Sequence, residues 1–172
     1  HLDHPDPFSI TGHFLKPISP GPVKIQVETM KVGKGVSFGQ AKIVQDDQER
    51  LRVTAAYGDL NKRDGLNHMT HKMPIIPPED ECVRAKIPLD FFKHVKASLT
   101  PESARWMSGE YDETCELAGW TSFLDGCEPD ALSLILFADG FPPPVFRKVG
   151  PAGWVPTVEM TVQVRAHPAP GP

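Results

Sequence analysis

The stretch LSLILFADGFPPPVF, Leu132–Phe146, sets one carboxylate, Asp139, in an apolar run and follows it with three prolines. Removing a carboxylate from water is costly unless it is paired or used. A used carboxylate can accept a proton from water or orient it. The bland alternative is a helix-end carboxylate that faces solvent or caps the next loop. Elsewhere, His68 and His71 in HMTHKM could be read as metal ligands. No Cys or carboxylate stands at a spacing that completes such a set, so no metal and no cofactor are expected. GKGVSFG, Gly33–Gly39, is glycine-rich but lacks the lysine–hydroxyl ending of a phosphate loop, and it reads as a hairpin turn. Thr11 and His13 sit in a strand pattern and read as structural. The thiols are Cys82, Cys115 and Cys127, an odd number with no C-x-x-C pair, which fits free cysteines in a reducing compartment.

The elements that must position Asp139 are bounded by composition. The chain has 172 residues, a formal net charge of −4 and 18 Lys and Arg, which are scattered rather than clustered. A nucleic-acid surface is therefore not expected. The longest apolar run, within Leu132–Ala138, is far too short to span a bilayer. The 19 prolines and 14 glycines imply many turns and strand edges.

The first third alternates with period two. In PFSITGHFLKP, Phe8, Ile10, Gly12 and Phe14 face one way, and Ser9, Thr11, His13 and Leu15 the other. VKIQVETMKVGKG alternates again, and VSFGQAKIVQDDQERLRVTAAYGDL reads as two strands around a polar tip at Gln45–Arg50. About four antiparallel strands are expected over residues 7–60. Residues 67–112 have no sustained period and read as a connection. TCELAGWTSFLDG then reads as a strand, EPDALSLILFADGF as a helix, and GWVPTVEMTVQVRAHP as a long strand. On that last strand Val158, Met160, Val162 and Val164 share one face; Thr157, Glu159, Thr161 and Gln163 share the other.

A repeat links the two ends. At an offset of 150, FSITGHFLKPISPGP lies over VEMTVQVRAHPAPGP, matching Thr11 to Thr161 and Pro20-Gly21-Pro22 to Pro170-Gly171-Pro172. The second copy has a strand and a helix before its matching strand; the first continues into three more strands. The repeat therefore predicts a longer protein of which this is an interior part.

These residues resemble the acyl-CoA thioesterase-like superfamily, related to acyl-CoA thioesterase II. PFSITGHFLKP through YGDL is similar to strands of an N-terminal hotdog, and GWTSFLDG, DALSLILFADGFPPPVF and GWVPTVEMTVQVRAHPAPG to the strand, central helix and next strand of a C-terminal one. The resemblance covers all but the connection. It implies an α+β double hotdog, antiparallel curved sheets each wrapping a helix, with both hotdogs incomplete. Residues 1–66 would be the N-terminal hotdog without its helix, 67–112 a linker, and 113–172 the start of the C-terminal hotdog. By motif position it implies catalytic roles for Asp139, in ADGF, and Thr157, in PTVEMTV, with a Gln beyond the end of this chain.

The implied activity is hydrolysis of acyl-CoA to a free acid and coenzyme A. The implied setting is intracellular, cytoplasmic or peroxisomal, with self-association as a homo-oligomer. The main rival is a thioester-binding protein without catalysis, or an inactive fragment. A hotdog dehydratase would want a His on the helix, and none occurs between Val95 and Ala166.

Overall fold

The computed structural model describes residues 3–62, 65–66, 68–70, 72–151 and 153–171. They form two compact units, each treated by itself. One comprises the residues up to Gly65 together with Pro156–His167; the other comprises Leu66–Val155 with the segment from Pro168.

The first unit is one antiparallel sheet. Its strands are β1 (Asp6–Phe14), β2 (Lys24–Val32), β3 (Ser37–Gln45), β4 (Gln48–Gly58) and β8 (Glu159–Gln163), in the spatial order β2-β3-β4-β1-β8. The four expected strands are all present, and the polar tip between β3 and β4 is a two-residue turn. Asp46 and Asp47 occupy it with φ of 52° and 56°. Two consecutive left-handed residues make the turn whose twist matches a hairpin, and Asp tolerates that conformation better than most side chains.

Register gives the sheet two unlike faces. One carries the apolar rungs Ile25–Ile43–Leu51–Phe14, Val27–Ala41–Val53–Gly12–Met160 and Thr29–Gly39–Ala55–Ile10–Val162. The other carries Gln26–Lys42–Arg52–His13–Glu159 and Glu28–Gln40–Thr54–Thr11–Thr161. Strand periodicity alone produces this separation. Much of the apolar face is open among the described residues: Val27 is 78% exposed and Ile25 62%. Beside β4, the Phe8 ring lies on Gly58 so closely that a Cβ there would meet its Cζ at 2.1 Å.

The second unit is built on β5 (Val83–Arg84), β6 (Val95–Leu99) and β7 (Gly119–Phe123), antiparallel in that order. β6 is its centre. Val95, Ala97 and Leu99 are buried, and Ala85 and Ala104 complete a small core against which Ile87, Phe92, Leu117 and Phe141 pack. So the stretch read as a connection contains two strands and several 3-10 turns. β6 does alternate, Val95, Ala97 and Leu99 against Lys96 and Ser98, but at five residues it is too short to stand out among the irregular turns around it.

Two short helices follow, α1 (Ser133–Phe137) and α2 (Phe146–Val149). The helix expected over EPDALSLILFADGF, residues 128–141, is only five residues long. Asp130 opens it, accepting from the Leu132 and Ser133 amides at 3.0 and 2.7 Å. Gly140 closes it, its amide donating to Phe137 O at 2.9 Å, and prolines 142–144 prevent continuation. The Phe123 and Phe137 rings, 4.9 Å apart, pack α1 on β7, and the Trp106 and Phe146 rings, 5.6 Å apart, seat α2.

Arg147 of α2 is a buried cation in this unit. It donates to Asp112 Oδ2 at 2.5 Å, Glu116 O at 2.9 Å and Glu102 Oε1 at 3.1 Å. No described helix is long and apolar enough to cross a membrane.

Candidate active site

Asp139 and Thr157, the two residues singled out for chemistry, fall in different units. Asp139 lies in the turn after α1, two residues beyond its last helical residue, and is exposed. The expected desolvation cost is therefore absent: a carboxylate past the end of a five-residue helix keeps its water. Its amide donates to Leu136 O at 3.3 Å, closing that turn.

Thr157 is half-buried in the extended segment that enters β8. That segment already pairs with β1, since the Phe14 amide donates to Val158 O at 2.9 Å. At the other end of the same strand the Val164 amide donates to Phe8 O at 3.0 Å. Thr157 thus stands two residues before Glu159, on the polar side of the β1–β8 ribbon by strand alternation.

The polar side of that ribbon carries hydroxyl, imidazole, carboxylate and amide side chains on successive rungs. Thr11 and Thr161 are directly opposite and share a hydroxyl hydrogen bond of 2.9 Å. One rung toward Thr157, His13 is opposite Glu159, with Nδ1 3.4 Å from Oε2. One rung away from it, Ser9 is opposite Gln163, whose amide oxygen accepts from Arg165.

Arg52 flanks His13 from β4, but its charge is committed. It donates to both Glu49 oxygens, at 2.6 and 2.7 Å. That fork holds the Glu49 carboxyl below its ordinary value and raises Arg52 in return.

Sequence reasoning passed over this group. Thr11 and His13 read as structural because they lie in the other half of the chain from Thr157. The signal was in the repeat. The residues it matches, Thr11 and Thr161, are opposite each other in the antiparallel ribbon, so the internal two-fold passes between the two strands.

A recess of about 510 Å³ lies elsewhere in the first unit, lined by His4, Phe8, Val32, Lys34, Asp59 and Lys62 among others. Beside it the buried His4 contacts Ser37 Oγ through Nδ1 at 2.7 Å and Lys34 O through Nε2 at 3.3 Å. This pins the residues ahead of β1 to the β2–β3 hairpin. Neither Asp139 nor Thr157 lines the recess. Among the described residues no three His, Cys, Asp or Glu side chains converge as a metal set; His71 lies outside the described residues.

The family comparison covers both ends. A family model described as the acyl-CoA thioesterase N-terminal domain matches residues 1–58, and one described as the acyl-CoA thioesterase C-terminal domain matches residues 71–172. Three solved structures are similar. A candidate thioesterase II from Thermobifida fusca YX is 30% identical over 98% of this chain, with a TM-score of 0.84. A hot dog fold protein of unknown function from Alicyclobacillus acidocaldarius is 22% identical over 94%, TM-score 0.79. A candidate thioesterase from Novosphingobium aromaticivorans DSM 12444 is 18% identical over 96%, TM-score 0.76. The chain spans 65%, 61% and 64% of those three proteins, respectively. No curated protein matches the chain.

Proposed function

The chain belongs to the acyl-CoA thioesterase family, and from that premise we propose that it serves a hydrolase converting acyl-CoA and water to a free acid and coenzyme A. The match of both thioesterase domain models, one over residues 1–58 and one over 71–172, is the observation that carries this reading. The complete protein would be a double hotdog, with the open apolar face of the five-stranded sheet covered by a helix. Exposed sheet edges of this kind favour self-association.

In the proposed mechanism Asp139 takes a proton from the attacking water and Thr157 holds that water from a second side. A Gln on a strand outside this chain completes the cage. Acyl-CoA is bound and cleaved without metal or cofactor. No covalent acyl-enzyme is needed.

The test is free-thiol release from a panel of acyl-CoAs by the full-length protein and its Asp139→Asn variant. A loss of about two orders of magnitude or more in the variant supports Asp139 as the base. An equally active variant removes Asp139 from the mechanism. Binding of acyl-CoA with no turnover by the parent leaves the thioester-binding reading.

A further inference from the structure

We propose that His13, held by Glu159, donates the proton to the departing thiolate; this inference rests on the thioesterase reading above. Three observations carry it. His13 and Glu159 are a cross-strand pair with imidazole Nδ1 3.4 Å from the carboxylate. Glu159 lies two residues after Thr157, about 7 Å along the strand and on the same side. The other cation facing His13, Arg52, is forked onto Glu49, so Glu159 remains available to the imidazole.

On this side the next rung carries Thr11, Thr161, Thr54, Gln40 and Glu28, whose carboxylate accepts from Gln40, and Lys42 lies beyond Arg52 on β3. The hydroxyl pair bears no charge, and Arg52 separates Lys42 from His13. The Glu159 carboxylate faces Nδ1, which fixes which nitrogen points away from it. With Nδ1 directed at Glu159, Nε2 is the nitrogen left to deliver a proton.

The step balances. Water oxygen bonds to the thioester carbonyl carbon, and one proton of that water passes to the base and from it to solvent. On collapse the C–S bond breaks and its electron pair goes to sulfur. His13 gives its proton to that sulfur, leaving neutral imidazole and a free thiol, and solvent reprotonates it. The products are the acid and the thiol.

The full-length protein and its His13→Gln variant should be compared on two thioesters of one acyl group. One carries an alkyl thiol such as coenzyme A; the other carries an aryl thiol, which departs readily without a proton. His13→Gln is expected to slow the alkyl thioester about tenfold or more and the aryl thioester less than about threefold. Glu159→Gln should show the same contrast at smaller amplitude. The ratio of the two rates on one preparation is independent of how much of it is folded, so a purely structural role leaves it unchanged. Equal losses on both thioesters, or none, overturn the inference while leaving thioesterase activity standing. A parent that hydrolyses neither overturns the thioesterase reading and this inference with it.

Discussion

Replacing Arg147 by Met tests what organises the second unit. The change keeps the length and apolar stem of the side chain and removes its charge. The guanidinium is buried and serves three acceptors: Asp112, the Glu116 carbonyl and Glu102. Glu102 adds little, because its side chain is 74% exposed and solvent screens it. Losing the remaining charge-assisted bonds and orphaning the Glu116 carbonyl gives a cost of about 3 kcal/mol. For a protein of this size that lowers Tm by about 9 °C.

The acid dependence should change as well. The Arg147 hydrogen bond, helped by the Thr114 amide, holds the Asp112 carboxyl below its ordinary value. A depressed carboxylate contributes stability above the unfolded value, near pH 4, and loses it as pH falls through the lower folded value. Urea unfolding followed by tryptophan fluorescence suits the measurement, because Trp106 packs on Phe146 beside Arg147. Arg147→Met should unfold at lower urea and lose part of the acid-side slope. Arg147→Lys should fall between, since one ammonium cannot fork to Asp112 and still reach the carbonyl. A loss below about 1 kcal/mol in the Met variant, or an unchanged acid slope, would refute the claim that this cation organises the unit.

Other outcomes follow from local geometry. Asp47→Gly should stabilise the β3–β4 hairpin by about 1 kcal/mol, measured by thermal melting, because φ of 56° is strained for Asp and free for Gly. Gly58→Ala should destabilise by about 1–3 kcal/mol, since its Cβ would meet the Phe8 ring and drive it off the sheet. Asp130→Ala should cost about 1 kcal/mol in urea unfolding, through the lost hydrogen bonds from the Leu132 and Ser133 amides in the turn that leads into α1. Alkylation at pH 8, read by peptide mass spectrometry, should label Cys115 first. Asp125 keeps the Cys127 thiol protonated, and burial together with neighbouring carboxylates does the same for Cys82.

The first sheet was legible because its strands are two-faced. Alternation at Ile25, Val27, Ile43, Leu51 and Val53 fixes both strand type and the apolar face, and the polar Gln45–Arg50 segment marks the turn. The second unit was less legible because its strands are short. β6 alternates Val95, Ala97 and Leu99 with Lys96 and Ser98, but it is five residues long and lies among 3-10 turns that carry no strand period. The helix was read across residues 128–141, but only Ser133–Phe137 is helical, because Gly140 and the prolines stop it early. Asp139 and Thr157 were identifiable only by resemblance to a family. The His13–Glu159 pair was hidden because nothing in either strand's own sequence names its neighbour in space.

The β1–β8 ribbon also has a kinetic meaning. Thr11 and Thr161 are 150 residues apart in the chain, whereas β3 and β4 meet across a two-residue turn. Closing so long a loop costs about 2 kcal/mol more than closing one of about ten residues. High contact order of this kind makes a pairing late. During refolding, the β2–β3–β4 meander should therefore acquire amide protection first and β8 last. The segment carrying Thr157 and Glu159 becomes ordered only with that final docking, so competence for chemistry would report the end of folding rather than its middle.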